Sequence, residues 1–290
     1  MRQLVRRLIS LLQYPLPHHL ISRLVHRWSR APRAPGRRAA MGWYVRHFGV
    51  QMNEAREPDL DPYPTFNAFF TRPLRDGARP LPEDPRHLCC PVDGAISQTG
   101  KIRRGRLFQA KGQLYDLTEL LGGDERRAKP FLDGAFATLY LSPAEYHRVH
   151  MPVGGTLQEM VHVPGRLFSV SPATVRNIPR LFARNERVAC IFDTQAGPMA
   201  LVLVGALNVG SIETVWAGEV TPPKGKRITA IRYAADPEHA IRLERGAEMG
   251  RFNLGSTVIV LCAPGRVRWA EGLEPEGKVR MGQTMGYRTD

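Results

Sequence analysis

Acidic residues are missing from the first 53 positions, which hold ten arginines. The rest of the chain is nearly balanced, with 31 basic and 27 acidic residues, so most of the formal charge of +14 is a local property of the N-terminus. That distribution, with no nucleic-acid module signature, argues against a basic nucleic-acid-binding body. Long apolar runs are also missing: none approaches the roughly 18–20 residues that a spanning helix needs. The longest, from Met199 to Val209, is broken by Gly205 and Asn208 and reads as core. Cysteine is scarce. Cys89, Cys90, Cys190 and Cys262 match neither a zinc-ligand spacing nor a disulfide framework, and are expected as small buried hydrophobes. The N-terminal apolar stretches are interrupted by arginine and proline and lack a small-residue cleavage site, so no secretory signal is expected. There is no internal repeat, no low-complexity segment and no alternation of strands with long helices, which argues against a doubly wound parallel sheet.

What is present divides into two parts. Leu4, Leu8, Leu11 and Leu12 recur at helical spacing beside Arg2, Arg6 and Arg7. Leu20, Ile21, Leu24, Val25 and Trp28 form a second stripe among Arg23, Arg27 and Arg30, and Ala40, Trp43, Tyr44 and Phe48 a third. Cationic helices with Leu, Trp and Phe on one side meet the requirements of an interfacial membrane anchor. A basic helical bundle packed on its own domain, or an organellar transit segment, would share the pattern. After a proline-rich stretch the chain turns to short β-like runs bounded by Gly and Pro, at residues 135–141, 156–163, 188–192, 199–204, 211–216 and 256–261. Residues 114–121 suggest a helix, and residues 173–177 a short turn. The expected fold class is α+β: a β-rich domain of short, mostly antiparallel strands over residues 57–290, preceded by an amphipathic basic helical region over residues 1–56.

Reactive side chains concentrate in three turn-like segments. Asp93 precedes Gly94, a combination that taken alone marks a turn. His147 and His150 follow a strand-like run, and in an extended chain an odd step of three sends them to opposite faces. Ser256 follows Gly255 and leads into an apolar run. Asp, His and Ser together suggest nucleophilic catalysis, in which the acid orients an imidazole that takes the hydroxyl proton. A serine hydrolase acting in trans is one reading, but the Gly-x-Ser-x-Gly elbow of the α/β type is missing here. A serine entering a strand directly after glycine also suits attack on its own preceding carbonyl, because glycine lets the hydroxyl approach.

The run GAEMGRFNLGSTVI at residues 246–259 closely resembles the self-processing site of phosphatidylserine decarboxylase proenzymes of the bacterial type. FNAFFTRPLR at 66–75, the 91–97 segment, QAKG at 109–112, YHRVHMP at 146–152, VPGRLFSV at 163–170, LFARNER at 181–187 and GSIETVWAG at 210–218 also look like blocks of that family. Arg245 departs from the pattern, standing where lysine is expected, and keeps the charge. The resemblance implies cleavage between Gly255 and Ser256 into a β chain (1–255) and an α chain (256–290), which stay together as a heterodimer; it leaves a higher oligomer open. It implies that Asp93, His150 and Ser256 form the charge relay for self-cleavage. Ser256 would become a covalent pyruvoyl group, the only cofactor, that forms a Schiff base with phosphatidylserine and releases CO₂ to give phosphatidylethanolamine. His147 resembles a second family histidine and is the candidate for proton transfer in decarboxylation. No metal and no nucleic acid are implied. A lipid substrate favours the membrane reading of the N-terminus, with the enzyme peripheral on the cytoplasmic side of the cell membrane.

Overall fold

The segment Ser256–Cys262, STVIVLC, is buried at every position. A β-branched run without a polar face forms a strand only where both faces of its sheet are covered. In the computed structural model, which describes residues 10, 12–32, 34–207, 211–221, 227–233, 238–253 and 256–289, this strand lies inside a nine-stranded sheet. It pairs with Ala135–Leu141 on one side and Gly197–Gly205 on the other. Beyond Gly197–Gly205 the sheet continues through Arg187–Thr194 and Gly155–Val163 to Thr229–Arg232, with Arg242–Leu243 also paired to Gly155–Val163; beyond Ala135–Leu141 come Gly94–Lys101 and Lys278–Val279. The strand pairings among the described residues are antiparallel throughout, as expected for this fold class.

Period-two alternation divides the apolar side chains into two cores. Val258, Val260 and Cys262 share one core with Leu139, Leu201 and Leu203, whereas Ile259 and Leu261 share the other with Phe136 and Val202. A four-stranded sheet contributes Val149, Ile212, Met249 and Phe252 to the first core; its strands run in the order Gly218–Glu219, Ile212–Thr214, Glu248–Phe252 and Arg148–His150. By alternation, Ser256 lies on the face of the large sheet that this smaller sheet covers. The strand that carries His150, entered directly after His147, and the segment leading to Ser256 are thus antiparallel neighbours.

Among the helices that precede the sheets are α1 (His18–Arg30), α2 (Arg37–Phe48) and α3 (Phe66–Phe70). Thr65 caps α3, its hydroxyl accepting from the Ala68 N–H at 3.0 Å. Phe66, Phe69 and Phe70 then pack with Met41 of α2 in a small third core. α2 ends at Gly49, whose left-handed φ of 72° closes a cap to the Val45 carbonyl. The buried residues of α1 are His18, Ser22 and Ser29, not its leucines. Of the first N-terminal stripe only Leu12 is described, and it is exposed; Leu4, Leu8 and Leu11 lie outside the described residues.

The expected strands fall within a residue or two of the observed ones. The helix expected over residues 114–121 is the exception: Gln113–Asp116 is a strand paired with Arg106–Ala110, and only Leu117–Leu120 is helical. Lys111 and Gly112 both adopt left-handed backbone (φ 48° and 77°), the geometry of a tight hairpin turn, and this overrides the helical spacing of the leucines. Asp116 then starts the helical turn by accepting from the Glu119 N–H. No helix among the described residues is long and apolar enough to cross a membrane.

Candidate active site

Gly94 opens its strand where a Cβ would stand 2.4 Å from the Tyr140 carbonyl oxygen, so only glycine permits this strand pairing. Asp93 is thereby held at the strand's entrance, buried. Arg79 donates from Nε to Oδ1 at 2.9 Å and from Nη2 to Oδ2, and the Met281 N–H donates to Oδ1 at 2.8 Å. Arg79 Nη2 also donates to Glu54 at 2.6 Å. Burial opposes the Arg79 charge, but the hydrogen bonds to Asp93 and Glu54 outweigh it and raise its pKa. Sequence reading missed Arg79, since a side chain fourteen positions away carries no local signal.

His150 is tied to the Asp93 loop by its backbone, its N–H donating to the Pro91 carbonyl at 2.9 Å. Its Nδ1 lies 2.8 Å from the Gly246 carbonyl, which can only accept, so Nδ1 carries the proton. Nε2 therefore accepts from the Tyr146 hydroxyl at 3.0 Å. Burial is the main cause lowering its pKa. His147 has the same tautomer, Nδ1–H donating to the Glu145 carbonyl at 2.8 Å, but its Nε2 is buried with no partner among the described residues. Its ring packs on Phe70 with centroids 4.1 Å apart. Burial pushes its pKa down to about 3, with the Arg72 charge adding to the effect and the Glu145 hydrogen bond opposing it. The two imidazoles have different partners, although His147 lies before the strand Arg148–His150 rather than within it.

Ser256 is fully buried and its hydroxyl has no hydrogen-bond partner among the described residues. Its backbone is paired opposite Leu141 and Gly205. The upstream arm is fixed as well. The Phe252 N–H donates to the His147 carbonyl at 3.0 Å. Asn253 donates from Nδ2 to Ser211 Oγ at 2.6 Å and accepts from Asn67 Nδ2 at 3.0 Å. The chain is thus clamped on both sides of Leu254 and Gly255, which themselves lie outside the described residues. Pro91 links Asp93 and His150 through the backbone, yet no hydrogen bond joins the Asp93, His150 and Ser256 side chains among the described residues. A cavity of about 1000 Å³ opens beside Asp93, with Arg72, Tyr140, Glu145 and Tyr146 also in its wall.

The chemistry available is therefore a buried serine hydroxyl without a partner and two imidazoles held as neutral bases. The unfolded value of 6.5 for His147 exceeds its folded value of about 3, so the unfolded chain binds the proton more tightly between them. Stability present above pH 6.5 is then lost progressively as the pH falls towards 3. The thermal midpoint should drop across that window, and His147→Asn should flatten the slope; an unchanged slope would contradict the assignment.

A family model described as phosphatidylserine decarboxylase matches residues 66–287, and a second, described as PSD, matches residues 8–49. The chain is 57% identical over 281 residues to the phosphatidylserine decarboxylase proenzyme of Ectopseudomonas mendocina, covering 97% of this chain and 98% of that one. It is 59% identical to the proenzyme of the same name from Stutzerimonas stutzeri, with 97% and 94% covered. Identity to the Bordetella pertussis proenzyme is also 59%, with 94% and 92% covered.

Proposed function

The chain belongs to the phosphatidylserine decarboxylase family, and we propose that it cuts itself between Gly255 and Ser256 and then converts phosphatidylserine to phosphatidylethanolamine. The observation carrying this reading is the unpartnered Ser256 hydroxyl, buried at the first residue of a strand whose upstream arm is also clamped. A buried hydroxyl without a hydrogen bond is costly, which supports a chemical use for it, and the resemblance of residues 246–259 to a self-processing site points the same way. Ser256 Oγ attacks the Gly255 carbonyl carbon, its proton passing to His150 Nε2 and on to the departing nitrogen, which leaves an ester. For this step His150 exchanges Tyr146 for Ser256 at Nε2, and Gly246 for Asp93 at Nδ1. Loss of the Ser256 Cα proton then expels the 1–255 carboxylate, and hydration of the remaining dehydroalanine releases ammonia and leaves a pyruvoyl group.

Residue 256 fits that group, since it is covalent to the strand and held by sheet pairing on both sides. A pyruvoyl ketone supplies an electrophile for the substrate amine and a sink for the electron pair left by CO₂. The chain's own part is to exclude water and to move a proton at His147 Nε2, whose lone pair is uncommitted. Intact-mass measurement tests the whole reading: two chains, 1–255 and 256–290, with a blocked N-terminus on the smaller. A single unbroken chain inert towards phosphatidylserine would refute it.

Sheet pairing supports a lasting heterodimer. The smaller fragment supplies Ser256–Cys262 inside the large sheet, and its Thr284–Arg288 strand pairs with His87–Cys89 of the larger. The two chains should co-migrate in native chromatography and separate only in denaturant; dissociation without denaturant would count against it.

The N-terminal region (1–56) we assign to peripheral docking on the cytoplasmic face of the membrane. On α1, Leu20, Leu24 and Trp28 follow one another at i, i+4 and i+8 with exposures of 50%, 59% and 37%, while Arg23 and Arg27 lie between them. An outward apolar stripe with arginines beside it suits insertion among anionic headgroups. Truncation is a poor test, because α2 shares a core with α3 through Met41 and Tyr44. Leu20→Glu with Leu24→Glu should weaken binding to phosphatidylserine vesicles at least about tenfold, from the transfer energy of two leucines, with self-cleavage unchanged. Undiminished sedimentation with vesicles would overturn the assignment.

A further inference from the structure

Two buried arginines differ in how their donors are used. Arg187, 2% exposed, spends its guanidinium on the carbonyls of Leu120, Ala183, Asn185 and Glu119 at 2.6–2.8 Å. It is a structural clamp. Arg72, 3% exposed, lies over the Phe69 ring at 5.8 Å from its centroid and has one carbonyl contact, from Nη2 to Ala144 at 3.3 Å; its Nε has no partner among the described residues. No carboxylate lies within ion-pair distance of it among the described residues. The nearby acids are committed elsewhere: Asp93 to Arg79, and Glu54 to Arg79 and to Arg280 at 2.8 Å. Glu145 accepts from Ser142, and burial pushes its carboxyl up towards the neutral form. A buried cation with spare donors and no directly paired carboxylate is unfavourable unless an anion completes it.

Arg72 stands in the wall of the 1000 Å³ cavity, and its charge is felt at His147, the proton-transfer candidate. We infer that Arg72 binds the phosphodiester of the lipid headgroup and so anchors the substrate in this cavity, whose wall also carries Asp93 and Tyr146. This rests on the decarboxylase reading above and adds the residue that recognises the substrate's charge. The headgroup has two anions, phosphate and carboxylate, and the chemistry separates them. A cation on the carboxylate would stabilise the ground state, whose charge leaves the carboxylate as CO₂ departs, and would slow the reaction. A cation on the phosphate, which does not react, binds ground state and transition state alike. The planar guanidinium fork also matches two phosphate oxygens.

The test uses wild-type protein, Arg72→Gln and Arg72→Lys, with self-cleavage scored by mass to establish folding. Each is assayed in mixed micelles with phosphatidylserine and with its phosphate methyl triester. Wild type should lose about 10- to 100-fold in kcat/KM on methylation, the range for a hydrogen bond to a charged group. Arg72→Gln should show that loss already on the diester, mainly as raised KM, and little more on the triester. Arg72→Lys should fall between. Glycerophosphoethanolamine should inhibit Arg72→Gln more weakly than wild type, whereas inhibition by serine should be unchanged. Indifference of wild type to methylation, or discrimination kept by Arg72→Gln, overturns the proposal. Weakened serine inhibition alone would assign Arg72 to the carboxylate and overturn it too. If Arg72→Gln does not fold, the wild-type triester and the lysine variant decide. Wild type that neither cuts nor decarboxylates would instead sink the decarboxylase reading itself.

Discussion

Ser256→Ala leaves one uncut chain of 290 residues that releases no CO₂ from phosphatidylserine, while folding as well as wild type. Both halves of that result come from one side chain. Without the hydroxyl there is no nucleophile for the Gly255 carbonyl and no precursor of the ketone, so the loss is complete rather than graded. Such a variant usually invites the objection that it has misfolded. Here the removed oxygen is a buried atom without a partner among the described residues, so its deletion orphans no donor or acceptor among them and the strand pairing to Leu141 and Gly205 is untouched. The thermal midpoint should therefore match or slightly exceed that of uncut wild type. Intact mass, thermal unfolding and CO₂ release check the three components. Cleavage or turnover by the alanine variant would remove the basis of the proposed function.

His147→Asn should separate the two reactions. Asparagine can place an amide N–H where Nδ1–H meets the Glu145 carbonyl at 2.8 Å, while it removes Nε2. The backbone link from the His147 carbonyl to the Phe252 N–H survives, so the arm leading to the cleavage site stays in place. Self-cleavage should proceed, and decarboxylation by the processed protein should fall by about 10²–10⁴, the usual share of a positioned acid or base. His150→Asn should block cutting and, because no pyruvoyl group then forms, decarboxylation with it. A His147 role limited to packing on Phe70 would lower the thermal midpoint but leave kcat of the processed fraction near normal; that result would move proton transfer to another group.

Strand positions were legible because burial on both faces writes a continuous apolar run, as in Ser256–Cys262, and neighbouring Gly and Pro mark its ends. The hairpin at Lys111 and Gly112 was not, since its signal is two left-handed backbone angles rather than a side-chain period. The candidate residues Asp93, His147, His150 and Ser256 were legible through their local blocks. Arg79 and Arg72 were not. Each is one arginine among many, and what sets it apart is the charge or vacant space that folding brings next to it.

The sequence alone determined the chemistry on offer: a serine behind glycine at the head of an apolar strand, two histidines three apart, and a basic N-terminus carrying apolar stripes. Tertiary structure decided how those groups are held. It turned the α1 leucines outward and its serines inward, fixed both imidazoles as neutral Nδ1–H tautomers, and left Ser256 Oγ and His147 Nε2 buried without partners. It also gave Asp93 its arginine and left Arg72 facing a cavity. The physical reason is range. Hydrophobic period and turn propensity act over a few residues and are written locally, whereas desolvation and charge pairing depend on neighbours that only packing brings together.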